Sequence, residues 1–271
     1  MPETDLALLT DAARAAGEIA LRFWRRSPEV WEKDAGAGPV SAADLAVNDM
    51  LAAKLGAARP AYGWLSEETP DSAARLAADR VFIVDPIDGT RAFIDGTPDF
   101  AHSIAVAERG VVSAAVVYLP AQNRLYSASI DGLAHLNGAP IRCSDQAGAD
   151  DATVLTARAT LAPEHWRCQT PPPVRRMFRS SLAWRLCLVA EGAFDAMLTL
   201  RPTWEWDVAA GVLIAARAGA IVTDRTGGRP TFNAQNPRVN GLVAAAPGAH
   251  RDLVGRLEPG PTPAASPGPG K

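Results

Sequence analysis

Residues 102–141 leave few folds open to this chain. Apolar and β-branched runs there are cut at Arg109-Gly110, at 120–123, at Asp131-Gly132 and at Asn137-Gly138. Turn residues between short runs of this kind are hairpin signals, so an antiparallel meander is predicted. Ahead of it, Leu8, Leu9, Ala12, Ile19 and Phe23 recur at helical spacing over 5–26, and Pro28 ends the pattern. A second helix is predicted from Ser41, with Asp44 placed as in a capping box. Residues 62–66 read as a short strand leading into Glu67-Glu68, and 80–85 as a buried strand, because the apolar run is unbroken. Behind the meander the elements alternate. Strands are expected at 153–156, 195–200, 220–223 and 240–244, with helices at 180–191, 204–218 and 250–257. Alternation implies an α/β layer. The composition shift near 143–151 divides the chain into an α+β half (1–148) and an α/β half (149–257). Residues 258–271 form a Pro/Gly-rich tail predicted to be disordered.

The formal net charge of -3 gives no support to a face that neutralises nucleic-acid phosphates. Cys143, Cys168 and Cys187 are far apart and lack metal spacing, which fits reduced thiols. Arg217 interrupts the best apolar run, so no membrane span is expected, and the acidic N-terminus does not read as a signal peptide. A cytoplasmic protein is expected.

The chemistry concentrates where the buried strand ends. Asp85 closes it, Asp88 follows, and Pro86 and Gly89 restrict and bend the chain around them. Two carboxylates so placed can converge on one cation, with the Ile87 carbonyl as a further oxygen, a donor set suited to Mg²⁺. A short helix beginning at Thr90 would turn free N–H groups toward an anion. Asp88-Gly89-Thr90 also fits an ordinary turn. Glu67, Glu68 and Asp207 are further carboxylates next to predicted strand and helix ends. Asp207, flanked by Trp206 and Val208, sits in a packed setting where a carboxylate needs a partner. Asp44 also fits a plain helix cap, and Asp95-Gly96 is read as a turn without chemistry.

With these residues assembled, the chain resembles the inositol monophosphatase superfamily of Mg²⁺-dependent, lithium-sensitive phosphatases. The matches run in order: Lys33 ahead of 38–44, Ser66-Glu67-Glu68, Asp85-Pro86-Ile87-Asp88-Gly89-Thr90, and Trp206-Asp207-Val208-Ala209-Ala210-Gly211. The resemblance implies a layered αβαβα sandwich, a homodimer and roughly two to three Mg²⁺ ions per active site. It implies that Glu67, Asp85, the Ile87 carbonyl, Asp88 and Asp207 hold metal. Thr90 and Asp44, helped by Glu67, would orient and deprotonate the attacking water, and the backbone of Gly89, Thr90 and Arg91 would cradle the phosphate. A non-catalytic homologue would lack a metal carboxylate or Thr90, and all are present.

The resemblance also implies a small phosphorylated metabolite as substrate. Inositol phosphatases carry a hydroxyl-binding Glu where this chain has Leu200, which cannot accept a hydrogen bond. Asp88–Ile94, Ser180-Ser181-Leu182 with 187–192, and Arg201-Pro202-Thr203 before Trp206-Asp207 look closer to the CysQ-like 3′(2′),5′-bisphosphate nucleotidases. Arg201 replaces a Gly of that pattern. Ser181 and Arg185 are the candidates for contacting the nucleotide, with Leu200 as the third expected substrate-binding position; a helix N-cap and a solvated helix residue are the plainer readings of the first two. Inositol-1-monophosphatase and histidinol-phosphate phosphatase remain the alternatives.

Overall fold

The strand β4 (Arg80–Asp88) sits inside the molecule because it is covered on both faces. Phe82 and Val84 point into one apolar cluster, and Val81 and Ile83 into another. Period-two alternation with both faces buried explains the unbroken apolar run. The computed structural model describes residues 4–32 and 38–258. Lys33 and all of the tail except Glu258 lie outside the described residues.

β4 belongs to a seven-stranded sheet with β3 (Gly63–Ser66), β5 (Ala101–Glu108), β6 (Val111–Leu119), β7 (Arg124–Ser129), β8 (His135–Leu136) and β9 (Ala139–Pro140), in chain order. Only β3 and β4 run parallel; the rest is the meander expected from the turn signals. On its outer face lie α1 (Asp5–Phe23) and α2 (Ala42–Ala58). α2 starts as its sequence requires: Ser41 caps it and Asp44 completes the capping box. A hairpin of β1 (Val30–Glu32) and β2 (Pro39–Ser41) precedes it.

The inner face carries α4 (Leu182–Ala190) and α5 (Glu205–Arg217). Beyond them lies a five-stranded sheet in the order β11 (Arg175–Met177), β10 (Thr153–Thr156), β12 (Ala196–Thr199), β16 (Leu242–Ala245), β14 (Ile221–Thr223). Its β10 pairs are parallel and its β16 pairs antiparallel. α6 (Pro247–Arg256) closes the far side, giving an αβαβα stack. One apolar cluster runs from Val81 and Ile83 through α4 and α5 to Met197 and Leu242, so the two sheets share a core. Among the described residues no helix is long and apolar enough to cross a membrane.

The α4–α5 contact matters most for the site, since the N-termini of both helices end there. Gly211 permits it: a Cβ at this position would lie 2.6 Å from Leu186 Cβ. Gly211→Val is expected to cost about 1–3 kcal/mol by overpacking, measured as a lower urea midpoint; an unchanged midpoint would show that the helices can part freely.

Candidate active site

The loop from Asp85 to Gly89 is built on a break in β-pairing. The β4–β5 register shifts between Asp85 and Asp88, which frees the intervening backbone from the ladder. His102 on β5 holds it: Nδ1 donates to the Pro86 carbonyl at 2.5 Å. Burial lowers the His102 pKa to about 4, so its ring is neutral at physiological pH. Gly89 then turns the chain with φ of 98°, and a Cβ there would meet the Asp99 carbonyl at 2.9 Å. α3 (Thr90–Ile94) follows, its first N–H groups without acceptors in their own helix.

Three carboxylates from three elements meet here. Glu67 follows β3, Asp85 lies on β4, and Asp207 is in the first turn of α5. Each offers an oxygen within 4.8 Å of the others. Asp85 is only 1% exposed, and its Oδ1 faces no hydrogen-bond donor. Burial pushes its pKa well up, and the charges of Glu67, Asp88, Asp207 and Asp44 push the same way. A buried carboxylate without a donor and surrounded by like charge calls for a cation. Carboxylate and carbonyl oxygens form a hard donor set, which fits Mg²⁺ better than a thiophilic metal.

Asp88 stands beside this cluster with one oxygen committed elsewhere. Its Oδ2 accepts from Ser181 Oγ at 2.6 Å and from the Ala183 N–H at 2.7 Å, which fixes it to the start of α4. Burial pushes its pKa up to about 6, against the hydrogen bonds from Ser181, Ala183 and Leu182. A folded value above the ordinary 3.8 means that the metal-free fold holds this proton more tightly than the unfolded chain. That stability is present below about pH 4 and is lost as pH rises through about 6. In EDTA the Asp88→Asn protein is therefore expected to lose less, or gain more, in Tm than the wild type between about pH 5 and about pH 7.5, a comparison in which the opposite contribution of His102 cancels. Mg²⁺ at about a hundred times its dissociation constant would add ~2.7 kcal/mol, raising Tm by about 5–10 °C. Scanning calorimetry checks this, and a Tm indifferent to Mg²⁺ would contradict a metal site.

Asp44 and Thr90 form the second part. Asp44 is buried and its Oδ2 accepts from the Ser41 N–H at 2.9 Å and Ser41 Oγ at 2.6 Å. Thr90 Oγ1 lies 3.2 Å from Asp44 Oδ1 and 3.1 Å from the Ile87 carbonyl, with one proton to share between them. Burial raises the Asp44 pKa, with the Ser41 hydrogen bonds opposing and the Glu67 charge adding to the rise. The helix-cap role and the Thr90 partner role of Asp44 are thus both present.

The three candidate substrate contacts separate. Ser181 is fully buried and spends its hydroxyl on Asp88 while accepting from the Trp184 N–H, so it is corrected to a support for Asp88. Leu200 is buried among Leu198, Val243 and the α6 side of the core, so its side chain is corrected to a core position. Arg185 is not a solvated helix residue: it is 6% exposed. Its Nε donates to the Arg179 carbonyl at 2.6 Å, and its guanidinium lies over Phe178 at 4.3 Å. Among the described residues its Nη groups have no hydrogen-bond partner. Burial lowers its pKa to about 10 and the Asp88 charge opposes that, so it stays cationic at neutral pH. Arg91 is exposed at the start of α3.

The sequence matches the inositol monophosphatase family across residues 1–257. It is 33% identical to an inositol-1-monophosphatase of Mesorhizobium japonicum over 255 residues, covering 89% of this chain and 90% of that one. It is 34% identical to a 3′-phosphoadenosine 5′-phosphate phosphatase of Mycobacterium leprae over 254 residues, covering 89% and 88%. The fold superposes on the crystal structure of the extragenic suppressor protein suhB from Bartonella henselae with a TM-score of 0.79 at 28% identity, covering 94% of this chain and 98% of that one. The chain belongs to the inositol monophosphatase family of phosphoric monoester hydrolases.

Proposed function

We propose that this chain is a Mg²⁺-dependent phosphatase that removes the 3′-phosphate of adenosine 3′,5′-bisphosphate, leaving AMP. The observation that carries the hydrolytic part is the donorless Asp85 oxygen within the Glu67–Asp85–Asp207 cluster, next to the Thr90–Asp44 pair. Glu67, Asp85, Asp88, Asp207 and the Ile87 carbonyl would hold Mg²⁺, about two to three ions in all. When bound, Mg²⁺ would supply a water of lowered pKa and neutralise charge on the leaving oxygen. Thr90 gives its proton toward Asp44, which turns an oxygen lone pair toward the water and orients it for in-line attack. Asp44, held by Ser41, takes up the proton density that Thr90 passes on. The N–H groups of Gly89, Thr90 and Arg91 are the proposed phosphate donors.

Arg185 supports the nucleotide as substrate. A buried guanidinium with unengaged Nη groups beside Asp88 suits a second phosphate, which a bisphosphate has and a monophosphate lacks. The Mycobacterium leprae relative's name agrees with this reading. Position 200 offers no side-chain acceptor for ring hydroxyls. Hydrolysis of inositol 1-phosphate is the second reading, favoured by the names of relatives at 36% and 33% identity. Homodimerisation and lithium inhibition enter this proposal through the family resemblance, and a cytoplasmic location through the scattered cysteines that fit reduced thiols.

Phosphate release with Mg²⁺ from adenosine 3′,5′-bisphosphate, inositol 1-phosphate and histidinol phosphate decides between these. The nucleotide is expected to show the highest kcat/KM. Arg185→Met is expected to lower that value about tenfold or more, the worth of a hydrogen bond to a charged group. A preference for inositol 1-phosphate, unchanged in Arg185→Met, would overturn the nucleotide reading.

A further inference from the structure

A buried arginine and a buried glutamate beside the carboxylate cluster, joined through residues 233 and 234 and not by direct contact, have no part in the chemistry above. Arg75 is 2% exposed and Glu205 is fully buried. Arg75 lies in the short 3-10 turn Ala73–Ala77, which follows the loop that carries Glu67. Glu205 is the first residue of α5, two before Asp207. Residues 233–237 connect them. Arg75 grips Asp71 through Nε at 2.6 Å and Nη2 at 2.8 Å, and it also donates to Asn233 Oδ1 at 2.6 Å and to the Ala234 carbonyl at 2.9 Å. The same two residues turn their N–H groups to Glu205: Asn233 to Oε2 at 2.6 Å and Ala234 to Oε1 at 3.0 Å. Asn233 makes both contacts from a left-handed backbone, φ 62°, and its Nδ2 returns to the Arg75 carbonyl at 3.2 Å. The Glu205 N–H donates to the Pro237 carbonyl at 3.0 Å.

We propose that Arg75 and Glu205 are positioning residues for the metal cluster, locking the Glu67 loop to the Asp207 end of α5 through Asn233 and Ala234. Glu67 and Asp207 come from distant parts of the chain, and each adds repulsion at Asp85. In the absence of a cation, like charges drive such groups apart, and a metal that has to gather them loses affinity. Ser103 Oγ, donating to the Trp206 carbonyl at 3.0 Å, already ties α5 to the strand beside Asp85. The Arg75–Glu205 link is the corresponding tie on the Glu67 side. Ligand supports of this kind are typically worth about ten- to a hundredfold in metal affinity.

The inference rests on the metal reading and is independent of the substrate. Mn²⁺ binding to the full chain, followed by the electron paramagnetic resonance signal of free Mn²⁺, tests it without turnover. Arg75→Gln and Glu205→Gln are expected to weaken binding about tenfold or more, and Arg75→Lys to recover part of the loss. Asn233→Gly keeps the left-handed backbone and the N–H to Glu205 but removes both side-chain bonds of Asn233 to Arg75, leaving Arg75 the Ala234 carbonyl and Asp71 as acceptors, so it is expected to fold and to bind Mn²⁺ several-fold more weakly. Asp195→Asn, which weakens the part-buried bonds from Ser144 and Thr153 outside this network, controls for general loss of stability and is expected to keep its affinity. Wild-type affinity in the folded Glu205→Gln or Asn233→Gly protein overturns the proposal. A wild-type chain that binds no Mn²⁺ overturns the metal reading on which it stands.

Discussion

Asp88→Asn and Asp207→Asn are each expected to lower phosphate release by about a hundred- to a thousandfold, the usual scale for losing one preorganised charge-stabilising group. Neither variant should unfold. In the metal-free protein each substitution removes a negative charge that raises the pKa of Asp85. Relief of that repulsion is expected to leave Tm in EDTA unchanged or higher. At Asp88 the amide oxygen can still accept from Ser181 Oγ and the Ala183 N–H, so α4 keeps its attachment. The activating effect of Mg²⁺ on Tm should shrink in the same variants. Loss of activity with an undiminished Tm separates a damaged metal site from a damaged fold. Near-normal turnover in either purified variant would remove that residue from the chemistry.

Thr90→Ala is expected to lower kcat by about a hundredfold, at the lower end for proton-transfer groups, while KM changes by less than about threefold. The hydroxyl touches Asp44 and the Ile87 carbonyl and would reach the attacking water, so its loss is felt mainly in the transition state. Thr90→Ser keeps the hydroxyl and should restore most of the rate. Steady-state kinetics at saturating Mg²⁺ read both values. A change confined to KM would make Thr90 a binding group and leave the Asp44 pair without a role.

The fold was legible where local physics leaves one choice. β4 and β5 are covered on both faces and so write themselves as apolar runs, and the turn residues between β5 and β9 set the meander. Ser41 and Asp44 mark the start of α2 because the capping box is a local arrangement. α6 begins at Pro247 and not at the expected 250, because proline at the first turn needs no donor there. β1, β2 and β11 are three residues each, and β1 and β11 are wholly exposed; their pairing partners, not their own patterns, make them strands.

The candidate site was legible in its carboxylates and hidden in the residues that support them. Asp85, Asp88 and Asp207 stand next to strand or helix ends, which sequence spacing reveals. Ser181 could be read as a helix cap, but its donation to Asp88, 93 residues away, has no local signature. Every residue of α4 is buried, so helical periodicity gave no hint that Arg185 faces inward. His102 reads as one polar residue in a strand, and its bond to the Pro86 carbonyl exists only once β4 and β5 are paired. Arg75 and Glu205 meet through residues 158 positions from Arg75, a closure that only the assembled layers provide.

Anomalous diffraction from crystals grown with Mn²⁺ locates the metal itself. Peaks are expected within coordinating distance, about 2.0–2.3 Å, of carboxylate oxygens of Glu67, Asp85 and Asp207, with a further peak reached by Asp88. A map with Mn²⁺ bound elsewhere and the Asp85 oxygens bare would contradict the assignment of this loop as a metal centre, and with it the proposed route to hydrolysis.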